Sequence, residues 1–415
     1  MHYFKHAELV EKYHVSLKTV HNWIDAAKSG KIELELHEDN GRTYIVNNPA
    51  NVGMLMELSQ KGKKYRNTLH HKVVTPAPRF YKLFNPRQIL DIIHNLSIHR
   101  EIPLKYSYFD GGATNWDKWV QKLIEEDAPS TPKSSVKLLH DNADRIDMLL
   151  EGHSKVNVID IGVGNAMPAR GLLEHFIERG VLNRYIAIDI SEDMLKIAEH
   201  NIKEWFGDKV KFEGHVRDIS YERFDDLLVE DRLSSDSEEI ANLALLLGAT
   251  PVNFHSPVDI LRTIYGSMGQ EDLLIYTLKP DTEASRNFFG VSSKPGAESI
   301  ASTHGIALEL LNLDKSLYEL EMGYSEQQRM RYIRVKLTTA LSIEFTFDHG
   351  KRYVHFEKGD TILLWRARHQ TPLEIISEFE DVGFSLLQAT LTKDRQYLMT
   401  ISGVEVKKAS TKADD

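Results

Sequence analysis

"VNVIDIGVGNAMPARG", residues 156–171, reads as an apolar strand that ends on a carboxylate and turns at once through Gly-x-Gly. A strand, a glycine turn and a helix in that order form the entrance of an α/β sheet that takes a nucleotide-like ligand at its carboxyl edge. Two details narrow the ligand. A dinucleotide fingerprint wants Gly or Ala three residues after the second glycine, and Met167 stands there, followed by Pro168. Asp160 lies two residues before Gly162, where a carboxylate opposes a pyrophosphate and suits a cation. The chain also has no Gly-Lys-Ser/Thr phosphate loop.

Working outward, "RYIAIDIS" reads as a second strand and "SEDMLKIAEHNIKEWF" as a helix capped by Ser191. "KVKFEGHVRDIS", "NLALLLGATPVNF" and "DLLIYTLKP" supply strands three to five. Strands alternating with helices predict a parallel, doubly wound sheet. Asp189 ends strand two, 25 residues after Gly164, where a carboxylate accepts both hydroxyls of a ribose. Asp218 ends strand three, with Ile219 next to it, placed to accept from an adenine amino group. Acids at three successive strand ends, the first facing a cation, point to S-adenosylmethionine, which carries an ammonium and a sulfonium. Each acid alone also suits a turn or a helix cap.

With 415 residues, the chain calls for two or three domains. Hydrophobic residues make up 41% and charged residues 27%, ordinary for a globular protein. No run of 18 or more apolar residues predicts a membrane span, and the first residues lack the basic-then-apolar order of a signal peptide. Zero cysteines exclude disulfides, thiolate metal sites and a cysteine nucleophile. A cytoplasmic protein is expected. None of the 19 histidines falls into a metal-binding spacing. The net charge of −10 is uneven: residues 1–75 carry 11 Lys/Arg against 8 Asp/Glu, and the rest 40 against 53. An acidic body repels nucleic acid, so any such contact belongs to the N-terminal part.

That part reads as helices over "HAELVEKYH" and "VSLKTVHNWIDAAKSGKI", with Ser16 as N-cap and Gly30 as terminator. "IELELHEDNGRTYIV" follows as a hairpin. The segment resembles the small winged helix-turn-helix domains of the MerR and excisionase kind. The resemblance implies that Lys18, Thr19, His21 and Asn22, together with Arg42 in the wing, face DNA bases or phosphates. The alternative is a dimerisation or protein-docking module. "QKGKKYRNTLHHK" (60–72) reads as a basic linker or phosphate-contacting tail. The expected layout is 1–70 winged helix-turn-helix, 71–150 linker and helical part, 151–279 Rossmann-like core, 280–370 inserted α+β substrate domain, 371–405 closing helix and strands, and 406–415 tail.

"VIDIGVGNAMPARGLLEHF", "YIAIDISEDMLKIAEHNI", "LLLGATPVNF", "GDTILLWRARHQTP" and "FEDVGFSLLQATLTKDRQYLMTIS" together resemble the histidine-specific methyltransferase family over roughly residues 100–405. Members of this family methylate the α-amino group of histidine. The resemblance implies that Tyr108 covers the cofactor, that Gly162 and Gly164 form the motif turn, and that Asp160, Asp189 and Asp218 are its acids. Pro168-Ala169 stands where the family has Lys-Thr. Asn253 corresponds to the asparagine that holds the substrate amine, although it also suits a turn after strand four. The Glu-x-Ser that grips the imidazole falls on Trp365 and Ala367, and a pocket tyrosine on Phe288. A pocket stripped of its polar partners rejects the polar substrate by roughly 10⁴-fold, so free histidine is not expected. Trp365 can wall an ammonium or simply pack, and His255 and Tyr324 are candidates to accept a proton or orient the amine. The expected enzyme N-methylates a small amine or amino acid. The alternative is a DNA-binding regulator, acting as a homodimer, whose body senses S-adenosylmethionine or a metabolite. A nucleic-acid methyltransferase is disfavoured because the Asn/Asp-Pro-Pro-Tyr/Phe motif is absent.

Overall fold

The computed structural model describes residues 3–13, 15–39, 41–48, 50–56, 58–59, 71–125, 130–233, 239–248, 250–286, 298–347 and 350–404. Phe288, most of the basic run 60–72 and the expected tail lie outside the described residues. The chain divides into two compact units, one of residues 1–74 with 339–358 and the other of residues 75–338 with 359–415.

In the first unit, β1 (Tyr3–Phe4), helices His6–Tyr13 and Leu17–Lys28, β2 (Leu36–Asp39) and β3 (Arg42–Val46) follow in order, the strands pairing as β1-β3-β2. The second helix starts where the Ser16 hydroxyl accepts the Thr19 N–H at 3.1 Å, satisfying one otherwise unpaired first-turn donor. Its period of three to four puts Val20, Trp23 and Ile24 into one core with Leu9, Tyr13 and Ile45. The β2–β3 hairpin turns at Gly41, whose φ of 72° favours a residue without a Cβ. The same unit holds β4 (Lys72–Val74), which pairs in parallel with β12 (Leu341–Phe347), itself a hairpin partner of β13 (Gly350–Phe356). The Ser342 hydroxyl lies between His71 Nδ1 at 3.0 Å and His355 Nδ1 at 2.7 Å, bonding the start of β4 to both hairpin strands.

The second unit is built on a seven-stranded sheet. Its members are β5 (Lys155–Ile161), β6 (Leu182–Asp189), β7 (Phe212–Val216), β8 (Ile240–Leu246), β9 (Leu273–Leu278), β15 (Phe384–Leu391) and β16 (Leu398–Val404), in the order β15-β16-β9-β8-β5-β6-β7. β7, β6, β5, β8 and β9 run parallel, and β16 joins antiparallel to β9. The central strands are near-continuous apolar runs because both faces are covered. On one face Val158, Tyr185 and Leu243 pack with Leu173 and Phe176. On the other, Ile159, Ile188 and Leu246 pack with Ile264 and Phe379. The expected cap at Ser191 is present, its hydroxyl accepting the Met194 N–H at 3.3 Å, and Gly383 (φ 117°), which the sequence reading did not single out, closes helix Pro372–Val382.

A smaller antiparallel sheet, β10 (Tyr318–Ser325), β11 (Met330–Leu337) and β14 (Thr361–Arg368), completes the second unit. Residues 339–358, within the segment 280–370, lie between β11 and β14 in sequence but group with the first unit. Among the described residues no helix is long and apolar enough to cross a membrane. Leu243 is fully buried in the middle of the main sheet. Leu243→Ala is expected to lower the unfolding free energy by about 2–5 kcal/mol, read from urea titration.

Candidate cofactor and acceptor site

The carboxyl ends of β5, β6, β7 and β8 converge on the glycine turn. Gly162 (φ 68°), Gly164 (φ 56°) and Ala166 (φ 60°) are all left-handed, so the chain reverses sharply before helix Arg170–Glu178. At Gly164 a side chain is excluded twice over, because a Cβ there would lie 2.5 Å from the ring of Trp116. At Gly162 a Cβ would meet the Thr250 hydroxyl at 3.3 Å. Asn165 braces the turn: its side-chain amide donates to Asp117 at 2.8 Å, and its side-chain oxygen accepts the Met167 N–H at 3.2 Å. Trp116 and Asp117 come from helix Gly112–Glu125, and the Tyr108 ring stands edge-on to Trp116 with centroids 6.5 Å apart.

The three acids stand at successive strand ends but in different surroundings. Asp189 accepts the backbone N–H groups of Ser191 (3.0 Å), Gly164 and Ile190. Burial still pushes its carboxyl up to about 6, against the pull of those three donors. Asp160 is sealed beneath the turn, where it accepts the Tyr185 hydroxyl at 2.6 Å. Burial raises it to about 7, the tyrosine hydrogen bond opposing and the Asp189 charge adding to the shift. Tyr108 lies near enough to Asp189 that burial and that charge together keep its phenol protonated. Asp218 is engaged within the protein: Lys105 Nζ lies 2.7 Å from one oxygen, and Ser220 donates N–H and O–H to the other at 3.1 and 2.5 Å. Lys105 also reaches Asp91 at 3.0 Å, and the Tyr106 hydroxyl donates to Asp91 at 2.7 Å. Ile219 is buried in the apolar layer beneath.

On the acceptor side, the turn Pro251–Asn253 follows β8. The side-chain oxygen of Asn253 is buried and has no hydrogen-bond partner. His255, half exposed, packs against His99 with ring centroids 3.9 Å apart and planes tilted by 31°, and its Nδ1 lies 3.8 Å from Glu101. Burial, His99 and two arginines, Arg366 and Arg368, lower its pKa, so it is neutral at pH 7. Glu101 is itself bonded to Arg366. Trp365 is half-buried against the layer that contains Val252 and Ala367. Tyr324 stands across β10 and β11 from Arg331 and lies within 6.1 Å of the His369 ring.

In the first unit Lys18, His21, Asn22 and Arg42 are exposed, while Thr19 is held by Ser16. A groove of about 790 Å³ between helix Leu17–Lys28 and β3 is lined by Lys5, His6, His21 and Arg42 among others. Several contributors were missed in the sequence. Lys105, inside the apolar run "IPLKYSYF", carried a usable signal, because a lysine in such a run needs a carboxylate partner. Trp116, Thr250 and Tyr185 carried none, since their roles come from distant segments meeting in space.

The family model described as "Histidine-specific methyltransferase, SAM-dependent" matches residues 89–286, which include Lys105, Tyr108, the glycine turn, the three acids and Asn253. The chain is an S-adenosylmethionine-dependent methyltransferase. Tyr324, Trp365 and the N-terminal helices lie outside the matched segment. No curated protein matches the sequence. Among solved structures, this methyltransferase resembles an S-adenosylmethionine-dependent methyltransferase from Clostridium acetobutylicum at 11% identity and TM-score 0.35, covering 70% of this chain and 99% of the other. The 1,6-didemethyltoxoflavin N1-methyltransferase of Burkholderia thailandensis matches at 12% identity and TM-score 0.36, covering 80% and 94%. The magnesium protoporphyrin IX methyltransferase of Synechocystis matches at 11% and 0.37, covering 72% and 98%.

The buried turn and acids fit a cationic cofactor. An unfolded Asp ionises near 3.8, so between about pH 4 and 7 the fold holds protons on Asp160 and Asp189 that the unfolded chain has released. Through that window their contribution to stability falls as pH rises. A bound cation favours the ionised carboxylates, so S-adenosylmethionine affinity is expected to climb between pH 5.5 and 8, with Asp189→Asn flattening the rise in calorimetric titrations. Gly164→Ala is expected to weaken cofactor binding by at least ~10-fold, since a side chain there displaces Trp116.

Proposed function

We propose that this methyltransferase N-methylates a small amine or amino acid other than free histidine. The observation that carries the reading is the buried, unpartnered side-chain oxygen of Asn253, on the turn whose Thr250 closes over Gly162. A buried acceptor without a donor costs free energy, which an N–H of the substrate repays. Trp365 and Ala367, where the resemblance places a glutamate and a serine, offer no partner for an imidazole. The cofactor supplies an electrophilic methyl group on a sulfonium. The protein's part is positioning and proton handling. In this reading Asn253 orients the amine, Trp116 lies over the glycine turn with Tyr108 beside it, and neutral His255, packed against His99, takes a proton from the acceptor.

Incubating the enzyme with labelled S-adenosylmethionine and a metabolite extract, then separating products by mass spectrometry, tests this directly. A labelled N-methyl product is expected, and free histidine should give none. Asn253→Ala is expected to lower kcat/KM by about 10–100-fold with cofactor affinity intact, the cost of one buried hydrogen bond. Labelled N-methylhistidine from free histidine would overturn the substrate assignment.

Exposed Lys18, His21 and Asn22 on one helix and Arg42 beside them favour a second reading for the first unit, a winged helix-turn-helix that contacts DNA while the other unit senses a metabolite. Retention of DNA at low salt, lost steeply as salt rises, supports it; no retention at low salt counts against it.

A further inference from the structure

The three acids at the strand ends do not meet the same partners. Asp160 and Asp189 are sealed against hydroxyl and backbone donors, and burial raises both. Asp218 is buried too, but among the described residues it alone of the three pairs with an ammonium. Lys105 reaches it from the turn Leu104–Tyr108, the turn that also carries Tyr108. Its Nζ stands 2.7 Å from Asp218 Oδ2 and 3.0 Å from Asp91 Oδ2, with the rings of Tyr106 and Tyr221 at 5.2 and 5.9 Å. Burial works against the charge, and the two carboxylates outweigh burial, so Lys105 stays an ammonium.

An ionised carboxylate offers about four acceptor sites. Ser220 fills those of Asp218 Oδ1, with its N–H at 3.1 Å and its O–H at 2.5 Å, and Lys105 takes one of those on Oδ2. Among the described residues one site on Oδ2 is left open. The group cannot turn to offer another, since both oxygens are held and Glu222 accepts the Asp218 N–H at 2.6 Å. Nζ directs its own donors at Asp218, Asp91 and, at 3.5 Å, the Ser220 hydroxyl. What remains past the end of β7 is a single fixed acceptor, and the cation that holds it there has no donor to spare. It lies at the carboxyl edge of the sheet, one residue beyond the Arg217 N–H that binds the Asp189 carbonyl.

We propose that Lys105 is a positioning residue that sets which purine the cofactor can carry: by holding Asp218 as a fixed acceptor, it admits a base with an amino group at its edge and refuses one with a carbonyl. An amino N–H finds the open site on Oδ2. A carbonyl in its place sets oxygen against oxygen, and the ammonium has no free donor to relieve the contact. Without the ammonium, a buried carboxylate gains by holding a proton. A carboxyl group donates as well as accepts, so amino and carbonyl edges become alike to it. This role concerns the cofactor and is independent of which acceptor is methylated.

The test is calorimetric binding of S-adenosylhomocysteine and of S-inosylhomocysteine, its 6-oxo counterpart, to the full chain. The unaltered chain is expected to bind the adenosyl compound at least ~100-fold more tightly. Lys105→Met should lower that ratio at least ~10-fold, while Lys105→Arg, which keeps a cation, should retain most of it. Lys105→Met leaves two acids without their cation, so Lys105→Gln, which keeps a donor and drops the charge, and Asp218→Asn, which leaves Lys105 its Asp91 partner, serve as further variants; both should lower the ratio as well. An unaltered chain that binds the two compounds equally overturns the proposal. So does a ratio that stays constant in the variants while both affinities fall together, which would make Lys105 a tie between helix Pro86–Ile98 and the strand end and nothing more. Neither result bears on N-methylation, which the labelled-product experiment decides separately.

Discussion

The buried Asp189 carboxylate, which accepts the Ser191 N–H at 3.0 Å and is stabilised by the backbone of Gly164, is the group on which the site depends. It faces the turn after the first strand from the end of the second, and Gly164 in that turn is left-handed and bare. The absent side chain leaves the space that Trp116 fills. From Asp189 the tie continues, since its carbonyl accepts the Arg217 N–H at 2.8 Å and so fixes the end of the third strand. There Lys105 binds Asp218 to Asp91, joining that strand end to helix Pro86–Ile98. The acids thus stand in a polar lattice of backbone donors and one lysine, set into a water-poor layer. The lattice keeps them in place, and the burial raises Asp160 and Asp189.

What the sequence disclosed was local. The five core strands, the closing helix and strands, and the caps at Ser16 and Ser191 follow from periodicity and short-range hydrogen bonds, and all of them form. The glycine turn was legible for the same reason. What stayed hidden involved partners far apart in the chain. Lys105 and Asp218 are 113 residues apart, and His71 and Ser342 are 271 apart. The run around Lys105 calls for a carboxylate without saying which, and nothing near His71 points to Ser342. The row Tyr324–Arg331–Ala367 likewise appears only with the register, because a slip of one residue would turn Arg331 to the opposite face.

Strand β14 shows how alternation divides labour. Trp365 and Ala367 pack with the apolar layer, and the Arg331 guanidinium lies 5.4 Å from the Trp365 ring centroid. Arg366 points the other way and bonds Glu101, whose carboxylate lies beside the stacked His99 and His255. A single strand thereby packs one face into the apolar layer and sends from the other a charge towards the histidine pair. Burial and then His99 lower the pKa of His255, and Arg366 and Arg368 add to the shift, so the strand that carries Trp365 contributes to its reduced basicity.

The hairpin β12–β13 has a consequence for biosynthesis. Its strands complete the first unit, yet they emerge from the ribosome some 270 residues after β4, the strand they pair with. During translation β4 waits with an open edge while the whole parallel part of the other sheet is made. Edges of that kind invite pairing with other chains. The order of synthesis therefore keeps the first unit open until β13 has been made, although most of its residues precede those of the other unit.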